Sequence, residues 1–394
     1  MVVVSQLVGV LLAAAAVWLL LPLFSECLSI LVATTSRRSG PCSTELPRLL
    51  FLVPAHDEQL LIGGCVRSLA RQQYPVERRR IVVVADNCGD ATAEIARREG
   101  AECLERADLA APGKPRALAW ALAQLAADPW VACVVIDADS VVAPDYASRV
   151  AQRGPLDGKA VQTYFGTLNE RESWLTRLAG VLTRCRYEVA YPLKARAGLN
   201  CPLTGNGMVL GRDLLRDGWD AFSLTENWEL YARYTAAGVP IELGRDAKLY
   251  SQEASSLRQG QTQRKRWLAG RLGVARSYLG RIVLSGSVGW RQKLDAVVEL
   301  AGLSPVLHLM GVVAVAGIGW LVGGSVAHWA AVGALLSLVP LVLQVVVVLW
   351  RHPEPGKTVL AFAMLPVYAV WRIVVVGRTL LGLKGMTWRR TARE

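Results

Sequence analysis

Acidic side chains gather in short turns after apolar runs, and their spacing suits gripping a cation and a phosphate. Asp137 and Asp139 stand at i and i+2 directly after the apolar run 131–136, with Ala138 between them. Two carboxylates so placed can converge on one hard cation, Mg²⁺ or Mn²⁺, which also takes the oxygens of a diphosphate. The competing reading is a pair of solvated or helix-capping acids; the position at a strand end favours the cation. Asp86 and Asp90 flank a second turn, Asp86-Asn87-Cys88-Gly89-Asp90. Asp90 suits capping the next helix, whereas Asp86 is close enough to the strand end to contact a nucleoside. A third turn is Pro54-Ala55-His56-Asp57-Glu58, where Glu58 also suits a first helical turn. Lys114 follows Gly113 at a helix start; it could reach a phosphate there or be an ordinary solvated lysine. Thr225-Glu226-Asn227 supplies a further acid, and Gln263-Arg264-Lys265-Arg266-Trp267 sets guanidinium beside indole. That last pairing can hold a diphosphate and stack on a sugar or base.

These groups need a scaffold that brings strand ends together. Between about Pro47 and Ser255, apolar runs alternate with helical periodicity. Strands are expected at Leu49–Val53, Ile81–Ala85 and Val131–Ile136, and helices at Gln59–Gln72, Thr92–Glu99 and Lys114–Ala127. The pattern predicts an α/β fold, a Rossmann-like, mostly parallel sheet covered on both faces, with ligands at the carboxyl ends of the strands. No G-x-G-x-x-G follows the first strand and no Walker A sequence occurs, which argues against NAD and P-loop chemistry. Leu268, Leu272, Ala275, Leu279 and Ile282 repeat at helical spacing among basic residues, predicting an amphipathic helix at a membrane surface over 256–290.

Composition places the scaffold at a membrane. Of 394 residues, 53% are hydrophobic and 19% charged, too apolar for disorder, and the excess lies at the two ends. Residues 7–24 are long enough to span a bilayer, and the N-terminal region 1–35 is read as an anchor. Nothing before Leu7 is positively charged, whereas Arg37, Arg38 and Arg48 follow. A cleaved leader is therefore disfavoured, and the N-terminus is expected outside with the middle of the chain in the cytoplasm. A membrane hairpin is expected over 297–350, entered from and returned to the cytoplasm. The stretch 359–383 is interrupted by Arg372 and Arg378 and precedes a basic tail. It is read as an interfacial helix, making 359–394 cytoplasmic. The net charge of +12 suits anionic lipids or a phosphorylated substrate, and no nucleic-acid platform is visible. The eight cysteines form no C-x-x-C pair, so zinc is not expected and free thiols are.

In this order the motifs resemble the processive-type family 2 glycosyltransferases, the group of cellulose and hyaluronan synthases and ceramide glucosyltransferases. The matching segments are VPAHDE at 53–58, DNCGD at 86–90, GKPRAL at 113–118, DADS at 137–140, LTGNGMVL at 203–210, LTENWEL at 224–230 and QRKRW at 263–267. The resemblance implies a GT-A fold over 47–255, a UDP-sugar donor, a hexose or N-acetylhexosamine transferred with inversion, and Mg²⁺ or Mn²⁺. It assigns Asp57, Glu58 and Asp86, with Pro54 and Ala55 beside them, to the nucleoside. Asp137, Ala138 and Asp139 fall to the metal-bound diphosphate, and Lys114 to the neighbourhood of the nucleotide. Gly205, Asn206 and Gly207 would lie on the acceptor side. Gln263, Arg266 and Trp267 would close over the donor and shape the acceptor entrance.

One position departs from the family. Its usual Thr-Glu-Asp ends in the general base, and here Asn227 stands in the aspartate's place. Asn cannot take a proton at neutral pH. The base is therefore expected at Glu226, the alternative being an inactive transferase-like scaffold or transport partner for glycan export. Expected partners are membrane lipids, a lipid or glycan acceptor, and an export partner protein. A lipid or lipid-linked acceptor is favoured over a polymer because few spans are visible; a nucleotidyltransferase would share the core but not QRKRW.

Overall fold

Side chains on a strand face opposite ways in turn, and in this chain that alternation divides the core in two. The computed structural model describes residues 2–35 and 43–382. Arg37, Arg38 and the basic tail from Lys384 lie outside the described residues. The strands are β1 (Leu49–Ala55), β2 (Arg79–Asp86), β3 (Glu102–Arg106), β4 (Ala132–Val135), β5 (Ser140–Val142), β6 (Ala160–Thr167), β7 (Met208–Gly211) and β8 (Ile241–Ser251). They form one sheet in the order β3-β2-β1-β4-β7-β6-β8-β5.

The helices of this part are α2 (Ile62–Ala70), α3 (Thr92–Arg98), α4 (Lys114–Gln124), α5 (Tyr146–Ala151), α6 (Trp174–Arg184), α7 (Tyr191–Arg196), α8 (Glu226–Ala236) and α9 (Leu257–Leu284); α1 (Val2–Thr35) precedes them. Leu49, Phe51 and Val53 pack with α2, α3 and α5 on one face. Leu50 and Leu52 pack with α4, α8 and α9 on the other.

The sheet is mixed. β1 runs parallel to β2 and β4, β2 to β3, and β6 to β8. The reversal comes from β7, antiparallel to β4 and β6, and from β5, antiparallel to β8. This reversal matters for the site. Met208, which opens β7, pairs with Val135, which closes β4. The loop before β7 therefore meets the turn after β4. The expected elements are present with shifted ends. α2 opens at Ile62 rather than Gln59 because the backbone ahead of it is tied elsewhere: Glu58 N donates to Thr92 Oγ1 (2.7 Å) and Gln59 N to Asp90 Oδ2 (3.1 Å).

Around this domain lie α10 (Trp290–Ala301), α11 (Pro305–Val322), α12 (Ser325–Leu336), α13 (Val339–Arg351), α14 (Pro355–Ala361) and α15 (Leu365–Leu381). Four helical stretches are long and apolar enough to cross a membrane: Gln6–Thr35, Pro305–Val322, Ser325–Arg351 and Pro355–Leu381. α1 packs on α11 and α12 through Leu12, Ala16, Leu19, Val312, Ala327 and Ala334. The first arm of the expected hairpin starts later than residue 297. Gly302-Leu303-Ser304 breaks the chain, and Arg271 donates to the carbonyls of Leu300 (3.0 Å) and Gly302, satisfying the end of α10. The stretch read as interfacial is helical over 355–381 except for a turn at Phe362–Met364. Tyr368, Leu365 and Trp371 pack with Trp174 and Leu175 of α6, Leu257 of α9, and Val306 and Met310 of α11.

Candidate active site

The strand-end turns and the start of α9 enclose a cavity of about 480 Å³. Each wall has a local cause. Asp86, buried at the end of β2, accepts from Arg106 Nη1 (2.6 Å) across the β2–β3 pair and from Gly113 N (3.0 Å). It thereby fixes Gly113, whose φ of 110° is open to glycine, and sets the first turn of α4. Lys114 extends from that turn. Its Nζ donates to Asp137 Oδ1 (2.6 Å) and to the Gly205 carbonyl (2.5 Å), and lies 3.5 Å from Glu226 Oε1. Burial works against the ammonium, but Asp137 and Glu226 outweigh it and hold Lys114 above the usual lysine range. This lysine joins the β4 turn, the β7 loop and α8 at one point, which the solvated reading of Lys114 does not provide.

The Asp137–Asp139 turn is braced from behind. Asn206 Oδ1 accepts from Asp137 N (3.1 Å), and Asn206 Nδ2 donates to Ser140 Oγ (2.8 Å). Asp139 Oδ1 accepts from the hydroxyls of Ser140 (3.2 Å) and Ser251 (2.9 Å). Gly207 has φ 69°, and a Cβ there would lie 2.2 Å from Thr163 Oγ1, so only glycine lets β7 close on β6 at this point.

The motif residues are thus sorted by the fold. Pro54, Ala55, Glu58, Asp86, Lys114, Asp137, Ala138, Asp139, Gly205, Glu226, Asn227, Gln263, Arg266 and Trp267 all line the cavity. Asp57, Asn206 and Gly207 do not. Asp57 Oδ1 accepts from Gly89 N (2.7 Å) and ties two loops together, while Asn206 braces the acidic turn and Gly207 packs against Thr163 of β6. Asp90 accepts from Thr92 N (3.0 Å) at the start of α3, as a helix-start acid should.

α8 and α9 complete the wall. Glu226 opens α8 and is buried. A Cβ on Gly270 would come within 2.5 Å of Thr225, so that glycine brings α9 against the start of α8. α9 is capped by Ser256, whose side chain accepts from Gln259 N. Trp267 remains 37% exposed at the cavity rim, with the Arg264 guanidinium 4.9 Å from its ring centroid.

Asn227 Nδ2 donates to the Leu203 carbonyl (2.8 Å). Only a donor fits there, and a carboxylate would set two acceptors against each other. Asn227→Asp is expected to cost about 1–3 kcal/mol, seen as a lower Tm, with no gain in transfer rate. A rise in transfer rate would return the base to the family's aspartate position.

Two cavity-related residues escaped the sequence reading. Glu253 lies two residues past the end of β8 and lines the cavity. Burial raises its carboxyl above the usual range, with Asp139 adding to that and Arg264, 3.7 Å away, opposing it. An acid at a strand end was the available signal, as for Asp137. Arg106 carried no comparable signal, because its partner Asp86 is found only through the β2–β3 register.

Comparison with known proteins agrees with this construction. The model of the glycosyltransferase-like family 2 matches residues 47–270. The chain is 28% identical over 253 residues to "Probable glycosyltransferase YdaM" of Bacillus subtilis, covering 60% of this chain and 58% of that one. It is 28% identical over 269 residues to the beta-monoglucosyldiacylglycerol synthase of Synechocystis, covering 65% and 54%. The matches thus span little more than half the length of these curated relatives. Among solved structures, the mannosyltransferase PcManGT of Pyrobaculum calidifontis, in complex with GDP-Man and Mn²⁺, superposes with a TM-score of 0.56 at 20% identity, over 94% of this chain and 97% of that one. Sequence, topology and the gathered motifs agree: the chain belongs to the family 2 glycosyltransferases, with a GT-A-like fold.

Proposed function

We propose that the protein transfers a hexose or N-acetylhexosamine from a UDP-sugar, with inversion, to a hydroxyl of a membrane-associated acceptor. The observation that carries this reading is the convergence of Lys114, Asp137, Asp139, Glu226, Arg266 and Trp267 on one cavity.

Asp137 and Asp139 would hold Mg²⁺ or Mn²⁺. The donor set fits: two hard carboxylates on one braced turn line a cavity with room for a nucleotide. When bound, the ion supplies charge neutralisation at the diphosphate.

The rest of the mechanism falls to side chains. Asp86 and Glu58 line the nucleoside end. Lys114 and Arg266 set positive charge beside the departing diphosphate. The acceptor oxygen attacks the anomeric carbon from the face opposite UDP. A new C–O bond forms, the bond from that carbon to the phosphate oxygen breaks, and UDP departs with its electron pair. Glu226 takes the acceptor's proton. Asn227 holds the Leu203 loop and has no part in proton transfer. Its hydrogen bond to the Leu203 carbonyl gives Asn227 a structural role.

The relatives named beta-monoglucosyldiacylglycerol synthase and the apolar helices beside the sheet domain support a lipid acceptor. The charge bias supports a cytoplasmic catalytic domain and an outside N-terminus. The packing of α15 on α6 and α9 supports an interfacial placement, although α15 also packs on Val306 and Met310 of α11 and, with α14, is long and apolar enough to span. Membranes containing the protein, given a panel of radiolabelled UDP-sugars and partitioned between organic solvent and water, are expected to carry label into the organic phase. Label confined to aqueous polymer would overturn the lipid acceptor.

A further inference from the structure

Glu253 lines the cleft but has no part in the transfer set out above. Its place is fixed by the backbone. Glu253 N donates to Asn169 Oδ1 (2.8 Å), and Asn169 Nδ2 donates to the Glu253 carbonyl (2.9 Å). Two residues earlier, the Ser251 hydroxyl donates to Asp139 Oδ1 (2.9 Å). The segment after β8 is therefore tied to the acidic turn and to the chain after β6, and the Glu253 carboxylate is placed before α9 begins.

That carboxylate meets α9. Glu253 Oε2 lies 3.7 Å from Arg264 Nη2, and both side chains are mostly buried. Salt screens such a pair less than one in open solvent. Arg186 is also within electrostatic reach of Glu253 but is exposed. Among the described residues Arg264 has no other ion pair. Arg372 of α15 is close enough to repel it, which leaves Glu253 as its electrostatic anchor.

Arg264 in turn lies against Trp267. The two stand three residues apart on α9 and share a face of the helix, with the guanidinium over the indole ring. Trp267 is exposed at the rim and lines the same cleft as Glu226. Its flat face suits a sugar ring or a glycerol backbone. Such a contact binds best when the side chain is ordered before the ligand arrives. An arginine anchored by a mostly buried carboxylate supplies that order.

We propose that Glu253 is a positioning residue: through Arg264 it holds Trp267 ready to receive the head group of the acceptor. The proposal rests on the reading above that the acceptor is a lipid.

The test uses the full chain in phosphatidylcholine nanodiscs with diacylglycerol as acceptor. Glu253→Gln and Arg264→Gln are each expected to raise KM for diacylglycerol about fivefold, the size of a cation–π contact. The effect falls on the lipid's KM and not on kcat or on KM for the UDP-sugar. The double variant is expected to be no worse than either single one, because both break the same chain of contacts. Unchanged lipid KM or additive effects would overturn the proposal. So would an altered Mn²⁺ requirement in Glu253→Gln, which would give Glu253 to the ion instead. A second measurement needs no acceptor. In protein labelled with 5-fluorotryptophan, the Trp267 fluorine resonance is identified by its loss in Trp267→Phe. In Glu253→Gln it is expected to move toward its position in Arg264→Gln, and an unmoved resonance would overturn the positioning role. Absence of lipid product from the unaltered protein would instead overturn the lipid acceptor, and the fluorine resonance would still decide whether Glu253 positions Trp267.

Discussion

Glu226→Gln is expected to abolish sugar transfer while UDP still binds. Glu226 is buried at the first turn of α8, 3.5 Å from Lys114 Nζ, and lines the cavity together with the α9 tryptophan. Glutamine preserves shape and can still accept a hydrogen bond from Lys114, so the cleft should keep its form. It cannot take the acceptor's proton. Removing a general base lowers the rate by about 10²–10⁴-fold. The measurement is kcat with the working UDP-sugar, alongside calorimetric titration of UDP. Near-normal turnover would remove Glu226 as the base, and loss of UDP affinity in parallel would make its role structural.

Asp139→Asn is expected to weaken both nucleotide binding and transfer, with kcat/KM falling about 10²–10³-fold, as for loss of a charge-stabilising group in other transfer reactions. The substitution is chosen for its neutrality toward the fold. Asp139 Oδ1 accepts from Ser140 and Ser251, and an asparagine carbonyl can accept the same two bonds. The lost quantity is the negative charge at the mouth of the cleft. A chelator should silence the unaltered protein, and Mn²⁺ should restore it. An Asp139→Asn protein with full activity and unaltered Mn²⁺ dependence would show that the turn after β4 does not hold the ion. The contrast between the two variants is diagnostic: one keeps the nucleotide and loses the chemistry, the other loses both.

Much of this site was legible without coordinates, and what was legible has a common cause. An acid directly after a buried strand can be read locally, because the strand's apolar run and the turn's polar residues adjoin in the chain. Asp86 and Asp137 were found this way, and Glu253 could have been, whereas Glu226 follows no strand and was found through the motif at 224–230. Helix starts at Thr92 and Lys114 are equally local, as are the apolar stretches long enough to span a bilayer. The ends of elements were less legible. α2 begins late because Asp90 and Thr92 hold the preceding backbone, and those residues are some thirty positions away.

The amino-acid sequence by itself determined the class of fold, the membrane setting and the inventory of reactive groups, because these follow from composition, periodicity and short-range spacing. The tertiary structure alone decided which of those groups share a cavity. The reversal of β7 against β4 brings Gly205 to Lys114, turns Asn206 into a brace, and leaves Asn227 bonded to Leu203. Helix packing likewise sets α9 on the start of α8, through the close approach of Gly270 to Thr225. Such pairings depend on strand order, register and helix packing. Those are set by the burial of the whole chain and are not carried by any single stretch of it.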